Sequence, residues 1–312
     1  MPLITQVKYD PLLTTISVQF QPAPDGYLAD LVMPPVPVVR ESASFWVYDK
    51  SRFDVPDSKR APRAEYNRID WNVTTDNYLC HQFGLEGEID DQERKNAATP
   101  LDLDIDTTEI VTDMVLNNRE KRVVDLVCAA GTYSGLTPSQ TTALTLATSK
   151  WTDGVNSDPL GDVKTARTTI FASTGYRPNR MVIGYTVFEA LKLHPQIKEI
   201  IKYTERAIVT AALLAAAFEV EEVLVGGVLR RTSKAGAADV LSDVWGSNCL
   251  LFYSEKAPSL KRASLGYQMR QEDLRVFRYR EEKRDTDVIR VTEKQAEKIV
   301  SASLGYLITA CV

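Results

Sequence analysis

Four stretches of this 312-residue chain carry residue types that do chemistry. Asp102, Asp104 and Asp106 in LDLDID resemble the opening of a calcium loop. The loop then fails, because its sixth position is Thr107 instead of glycine and its twelfth is Asp113 instead of glutamate. Alternation of these acids with Leu101, Leu103 and Ile105 predicts a strand with one wet face. Gly226 and Gly227 in VLVGGVLRR, with Arg230 and Arg231 beside them, would suit close approach of a phosphate. No GxGxxG or GKT pattern accompanies them, and a kink or bulge in a strand is the simpler expectation. Cys80 and His81 are adjacent, so on a strand they point to opposite faces and form no thiolate–imidazole pair. His194 precedes Pro195 with no nucleophile nearby in sequence. Finally, NRMVIGYTVFEALKLHP (179–195) reads as a strand running into a helix, the corner at which nucleotide-binding proteins cradle phosphate. Here the corner is Gly184–Tyr185–Thr186, with one glycine and no lysine. These readings predict no catalytic residue, no cofactor and no metal site.

The elements that hold these residues belong to an ordinary globular chain, 44% hydrophobic and 25% charged. The longest apolar run, IVTAALLAAAF (208–218), is too short to span a bilayer. The start MPLITQVKYD lacks the basic-then-apolar pattern of a secretory signal, which predicts cytosolic synthesis and no membrane partner. Cys80, Cys128, Cys249 and Cys311 show no CxxC or CxxxC spacing and are expected to be reduced, structural thiols. A net charge of −5 argues against general affinity for nucleic acid.

Residues 1–44 are broken by prolines at 2, 11, 22, 24, 34, 35 and 37, yet stay apolar. An apolar, extended arm with few charges is expected to lie against something. At about 3.3 Å per residue it could reach on the order of 100 Å, so another subunit is a candidate surface. Residues 45–89 are rich in aromatic and β-branched types around a Pro-broken polar tip, PDSKRAPR, and predict a long two-stranded hairpin. An isolated ribbon of this kind is marginal in water, so its aromatic residues need a partner surface. Residues 106–131 predict a helix with Asp106 as N-cap and Gly131 as stop. Its polar middle, NNREKR, predicts an exposed strut. A second helix follows Asp158–Pro159 and ends at Gly175. Strand 180–184, helices over 185–193, QIKEIIKYT and 205–218, strand 220–231, a loop over 232–246 and strand 248–254 come next, and the end is β-rich, with 274–282 and 286–293 pairing across KRDT. The interleaved charges of that late hairpin suit contacts between protein surfaces better than a phosphate track.

The order of these parts resembles the major capsid proteins of tailed bacteriophages, the Hong Kong 97-type fold. The stretches that carry the likeness are DNYLCHQFGLEGEIDDQERKNA (76–97), TTEIVTDMVLNNREKRVVDLV (107–127) and NRMVIGYTVFEALKLHPQIKEIIKYT through AAAFEVEEVLVGG (179–227). The resemblance implies an α+β protein with an N-terminal arm (1–44), an extended β-hairpin loop (45–89), and a peripheral domain (90–178) with a spine helix over 107–130. It further implies an axial α/β domain (179–270), a peripheral-domain hairpin (271–298) and a C-terminal strand returning to the axial domain (299–312). It implies a shell of hexamers and pentamers of the chain itself, enclosing DNA without sequence-specific binding, in a virion made in a bacterial cytoplasm. Scaffold, portal and decoration proteins are possible partners, and a scaffold would be a separate chain because 1–44 does not look like one. Candidate assembly contacts in the loop are Trp46, Tyr48, Arg52, Lys59, Arg60 and Trp71. On the late hairpin they are Arg275, Arg278, Arg280 and Glu281. Two other readings stay open: a cellular nanocompartment shell with the same fold, and a soluble α/β enzyme or ligand-binding protein.

Overall fold

The computed structural model describes residues 8–9, 26–48, 50–60, 62–63, 65–70, 72–96, 103–202, 209–234, 236–259 and 262–312. After β1 (Lys8–Tyr9) come a single-turn helix, α1 (Ala29–Val32), and β2 (Pro35–Pro37). Leu28, Ala29, Val32 and Met33 are buried within this same chain. The expectation that the arm shelters on another subunit is therefore corrected for this stretch, while residues 10–25 lie outside those described. β3 (Ser42–Tyr48) pairs antiparallel with β4 (Val73–Leu79), from Ser42↔Leu79 to Tyr48↔Val73. Cys80, buried, separates β4 from β5 (His81–Asp90), and His81 faces solvent on the opposite side.

A short helix, α2 (Asp91–Asn96), leads towards α3 (Leu103–Val127). Leu103–Asp106 thus opens a helix, not the strand its alternation predicts. Thr108, Val111, Thr112 and Val115 recur at helical spacing and are buried, and this longer period outweighs a five-residue alternation. The 25 residues of α3 run about 37 Å. Gly87 on β5 lets the helix approach, since a Cβ there would lie 2.5 Å from Thr107 Cγ2.

Beyond α4 (Ala130–Ser134) and β6 (Thr141–Ala143), α5 (Pro159–Thr174) forms as its signals predict. The Asp158 carboxylate accepts from Gly161 N at 3.0 Å, Pro159 occupies the first turn, and Gly175 ends the helix at φ 74°. β7 (Arg180–Gly184), α6 (Tyr185–Leu193), α7 (Pro195–Ile201) and α8 (Ala211–Ala217) follow. The expected single strand over 220–231 is two, β8 (Glu222–Gly226) and β9 (Leu229–Arg231), and the expected loop contains β10 (Leu241–Asp243), which folds back on β9. The break falls after Gly226, where a Cβ would lie 2.2 Å from the Trp245 ring. β11 (Cys249–Phe252), the long hairpin β12 (Gly266–Glu281) and β13 (Thr286–Ile299), and β14 (Gly305–Thr309) complete the chain.

Two sheets organise these elements among the described residues. The central one has the order β6-β14-β11-β7-β8. β7 and β11 are almost wholly buried apolar runs, as strands covered on both faces must be. Met181, Ile183 and Leu251 face a core closed by α5 to α8. Val182, Leu250 and Phe252 face the opposite core, which α1, the C-terminal half of α3 and Trp245 close. Leu28, Val32 and Met33 of the arm are therefore consumed in covering the second face of this sheet. The other sheet runs β1-β12-β13-β5, with β2 also on β12, and packs against the N-terminal half of α3 through Val111, Val115, Ile89, Val276, Ile289 and Val291.

Candidate functional site

The corner after β7 is filled by the chain itself. The Asp243 carboxylate accepts from Tyr185 N at 3.1 Å, supplying the negative charge that the N-terminus of α6 favours. A Cβ on Gly184 would lie 1.8 Å from the Gly246 carbonyl oxygen, so backbone occupies the place a phosphate would need. Burial pushes the Asp243 carboxyl up, while the N–H groups of Trp245, Tyr185 and Gly246 oppose that rise.

His194 has a neighbour that sequence reading missed. Its Nε2 lies 3.0 Å from Ser157 Oγ, with both residues buried. The Ser157 hydroxyl donates to the Asp153 carbonyl, so the imidazole N–H must donate to the serine. That is the reverse of a general base activating a nucleophile, and the pair reads as a core hydrogen bond. Arg231 pairs with Asp239 at 2.7 Å on the exposed β9–β10 hairpin. Asp104 pairs with Arg94, and Asp102 lies outside the described residues. Among the described residues no group of His, Cys, Asp or Glu could hold a metal ion, and no helix is long and apolar enough to cross a membrane. The four cysteines are free, and burial raises their pKa values, that of Cys128 to about 12.

The loop residues lie at the surface. Trp46 is 65% exposed, and Lys59 and Arg60 are exposed, with the Arg60 guanidinium 4.3 Å from the Tyr66 ring centroid. Trp71 lies outside the described residues, and only the backbone of Tyr48 and Arg52 is described. On the late hairpin the arginines meet partners in their own chain. Arg278 contacts Asp287 at 2.9 Å and Asp104 at 3.3 Å, and Arg280 contacts Asp91 at 2.7 Å. Hydrogen bonds from Arg94 and Arg278 hold the Asp287 carboxyl below its ordinary value against the opposing effect of burial. Among the described residues Arg275 and Glu281 make only longer local pairs, with Glu272 at 3.6 Å and Arg284 at 3.7 Å.

The middle of α3 is the opposite of an exposed strut. Arg119 is 6% exposed and Glu120 is 0% exposed. Arg119 Nε donates to Glu293 at 3.0 Å, and Arg122 donates to Glu293 at 2.7 Å and to Glu297 at 3.0 Å. Glu120 accepts from Ala29 N at 2.7 Å, Leu28 N at 3.1 Å and Trp245 Nε1 at 2.6 Å. One carboxylate thus joins the arm, the long helix and the loop leading into β11. Desolvation raises its pKa, and the three N–H donors limit the rise.

Among the described residues, what this architecture presents to solvent is a ribbon with exposed aromatic side chains. Chains of known structure share the arrangement, which is the Hong Kong 97-type α+β capsid fold. A phage-related protein from Bordetella bronchiseptica superposes with a TM-score of 0.76 at 25% identity over 98% of both chains. The capsid of cyanophage P-SCSP1u superposes with a TM-score of 0.61 at 10% identity, over 89% of this chain and 86% of that one. The family model of phage major capsid protein E matches residues 133–265. A major capsid protein of Burkholderia phage BcepMu is 31% identical over 308 residues, 96% of this chain and 95% of the relative. The chain belongs to the phage major capsid proteins, a family of structural shell proteins.

Proposed function

We propose that the chain builds an icosahedral shell of hexamers and pentamers of itself around the double-stranded DNA of a tailed phage, after synthesis in the bacterial cytoplasm. In this reading the long helix and late hairpin form the peripheral domain, the central sheet forms the axial domain, and the β3–β4 ribbon lies over neighbouring copies. Scaffold, portal and decoration proteins join as separate chains. The observation that carries the reading is the ribbon: a two-stranded projection with Trp46, Phe53, Val55, Tyr66 and Ile69 all exposed. Covering on the order of 1,000 Å² of such surface contributes about 25 kcal/mol gross at ~25 cal/mol per Å², and association and ordering remove much of it. Loop residues Trp46, Tyr48, Arg52, Lys59, Arg60 and Trp71 are the proposed contacts. Arg275 and Glu281, weakly paired, are better placed to meet a neighbour than Arg278 and Arg280. Mild acidity suits the wall of a DNA container, since a strongly basic wall would bind the genome. Deleting residues 46–70 tests the proposal: the variant should keep a cooperative thermal transition yet give no shells by electron microscopy. Intact shells from that deletion would refute it.

A further inference from the structure

Residues 144–158 form neither helix nor strand, yet both ends of the stretch are fastened. At one end the Leu144 N–H donates to the Thr309 carbonyl at 3.0 Å and the Trp151 N–H to the Cys311 carbonyl at 2.8 Å. Trp151 is buried, and its Nε1 donates to Asp162 at 2.9 Å. At the other end Gly154 packs on Pro195, where a Cβ would lie 2.9 Å from the ring, and His194 Nε2 donates to the Ser157 hydroxyl at 3.0 Å. Among the described residues this is the one side-chain hydrogen bond that joins residues 153–157 to the corner between α6 and α7. His194 is 2% exposed, and its Nδ1 is buried with no hydrogen-bond partner among the described residues. A neutral ring leaves only a lone pair at Nδ1. A protonated ring places a second N–H and a full charge there, with nothing to receive them, and a buried charge without a partner is costly.

We propose that His194 is an acid-released clasp: neutral, it fastens residues 153–157 to the α6–α7 corner, and protonated, it lets that end lift. Lifting brings the ring to water and gives its second N–H a partner. The charges that face the ring are Asp158 and Asp153, from the stretch itself. Asp162 of α5 is engaged with Trp151, Lys192 of α6 pairs with Glu189 at 2.7 Å, and Lys198 and Glu199 of α7 are exposed. Burial lowers the His194 pKa from its ordinary 6.5, against the opposing pull of the Asp153 carbonyl and the Asp158 and Asp153 carboxylates. The clasp therefore contributes in full above pH 6.5 and is lost as pH falls below that value through the folded pKa. Its neighbours do not imitate this. Hydrogen bonds from Asn156 and the Val155 N–H hold the Asp153 carboxyl below its ordinary 3.8, so its contribution is lost only further into acid. Burial raises the Asp162 pKa, so acid favours the folded form there. The clasp operates within a single chain, whatever that chain assembles into.

Hydrogen exchange of the full chain, read by mass spectrometry at about pH 7.5 and about pH 5.5 and corrected for the intrinsic rate, tests the proposal. Protection of peptides covering 153–157 should fall about tenfold at the lower pH, while that of 144–151, held by Thr309 and Cys311, changes little. His194→Gln keeps an N–H donor for Ser157 and cannot titrate, so its exchange should be equal at the two pH values. Ser157→Ala removes the acceptor, so residues 153–157 should exchange fast at both. The one other histidine, His81, is exposed, and His81→Gln should leave the acid response intact. Equal protection of the unaltered chain at the two pH values overturns the proposal, as does an acid response that persists in His194→Gln or disappears in His81→Gln. Should His194→Gln fail to fold, Ser157→Ala decides: slow exchange near neutral pH, or a retained acid response, overturns it.

Discussion

Replacing Glu120 should uncouple the arm from the rest of the molecule. Its carboxylate takes N–H groups from Leu28, Ala29 and Trp245 and is fully buried. Glu120→Ala leaves those three donors without an acceptor. A hydrogen bond to a charged group contributes about 1.5–3 kcal/mol, and removing one side of a buried charged interaction typically costs about 3–5 kcal/mol once the desolvation of the carboxylate is recovered. Taking about 4 kcal/mol, and about 2.1 cal/mol/K of unfolding entropy per residue, the whole chain should melt about 6 °C lower. The loss should be local as well: amides of residues 27–33 should exchange with deuterium far faster, while those of β7 and β11 change little. Glu120→Gln adds a test of sign. Burial raises the Glu120 pKa above its ordinary value of 4.5, so the native state holds this proton more tightly than the unfolded chain. The contribution of the group is full below about pH 4.5 and is lost as pH rises through the folded pKa. The stability of the unaltered chain relative to Glu120→Gln should therefore decline with pH above that point and then level off. Thermal melts and hydrogen exchange across pH 4–8 read both effects. A Glu120→Ala cost under about 1 kcal/mol, or faster exchange spread evenly over the chain, would refute the reasoning.

Gly87→Val should be destabilising by about 1–3 kcal/mol or more, because the new side chain must displace Thr107 and Val111 of α3, which already crowd a bare Cβ at 2.5 and 3.0 Å; a denaturant midpoint equal to that of the unaltered chain would count against the helix–strand contact. Trp46→Ala should change monomer stability by no more than about 0.5 kcal/mol, since the ring is mostly exposed, and should still reduce shell yield. Equal losses of stability and assembly would assign Trp46 to its own fold.

Much of the backbone is legible locally. Asp158, Pro159 and Gly175 mark the ends of α5, and the strand-to-helix corner at Gly184 stands where its residues place it. The late hairpin is legible because strand signals flank a short polar turn, and the register closes as Glu281↔Thr286. The ribbon is legible only in part: Ser42–Tyr48 pairs with Val73–Leu79, but His81–Asp90, read from the sequence as the end of the same hairpin, pairs with β13 in the other sheet, because its partner strand lies about 200 residues away along the chain. Less legible is whatever depends on a distant partner. NNREKR reads as solvated because Arg and Glu usually are, yet Arg119 bonds Glu293 from 174 residues away and Glu120 bonds Trp245 from 125 away. Ser157 meets His194 across 37 residues, with no motif to announce it.

The sequence by itself determined the strand-to-helix corner at Gly184, the late hairpin, the family resemblance and the absence of a phosphate motif at that corner, because those rest on residue types and short spacings. Tertiary structure alone decided which surfaces remain open. It spent Leu28, Val32 and Met33 on the second face of the central sheet, and it paired Arg278 and Arg280 within the chain. It left Trp46 and Val55 uncovered. The physical reason is that burial belongs to a pair of surfaces: an apolar or charged side chain carries its own chemistry, but the fold chooses whether its partner lies within the chain or must come from another copy.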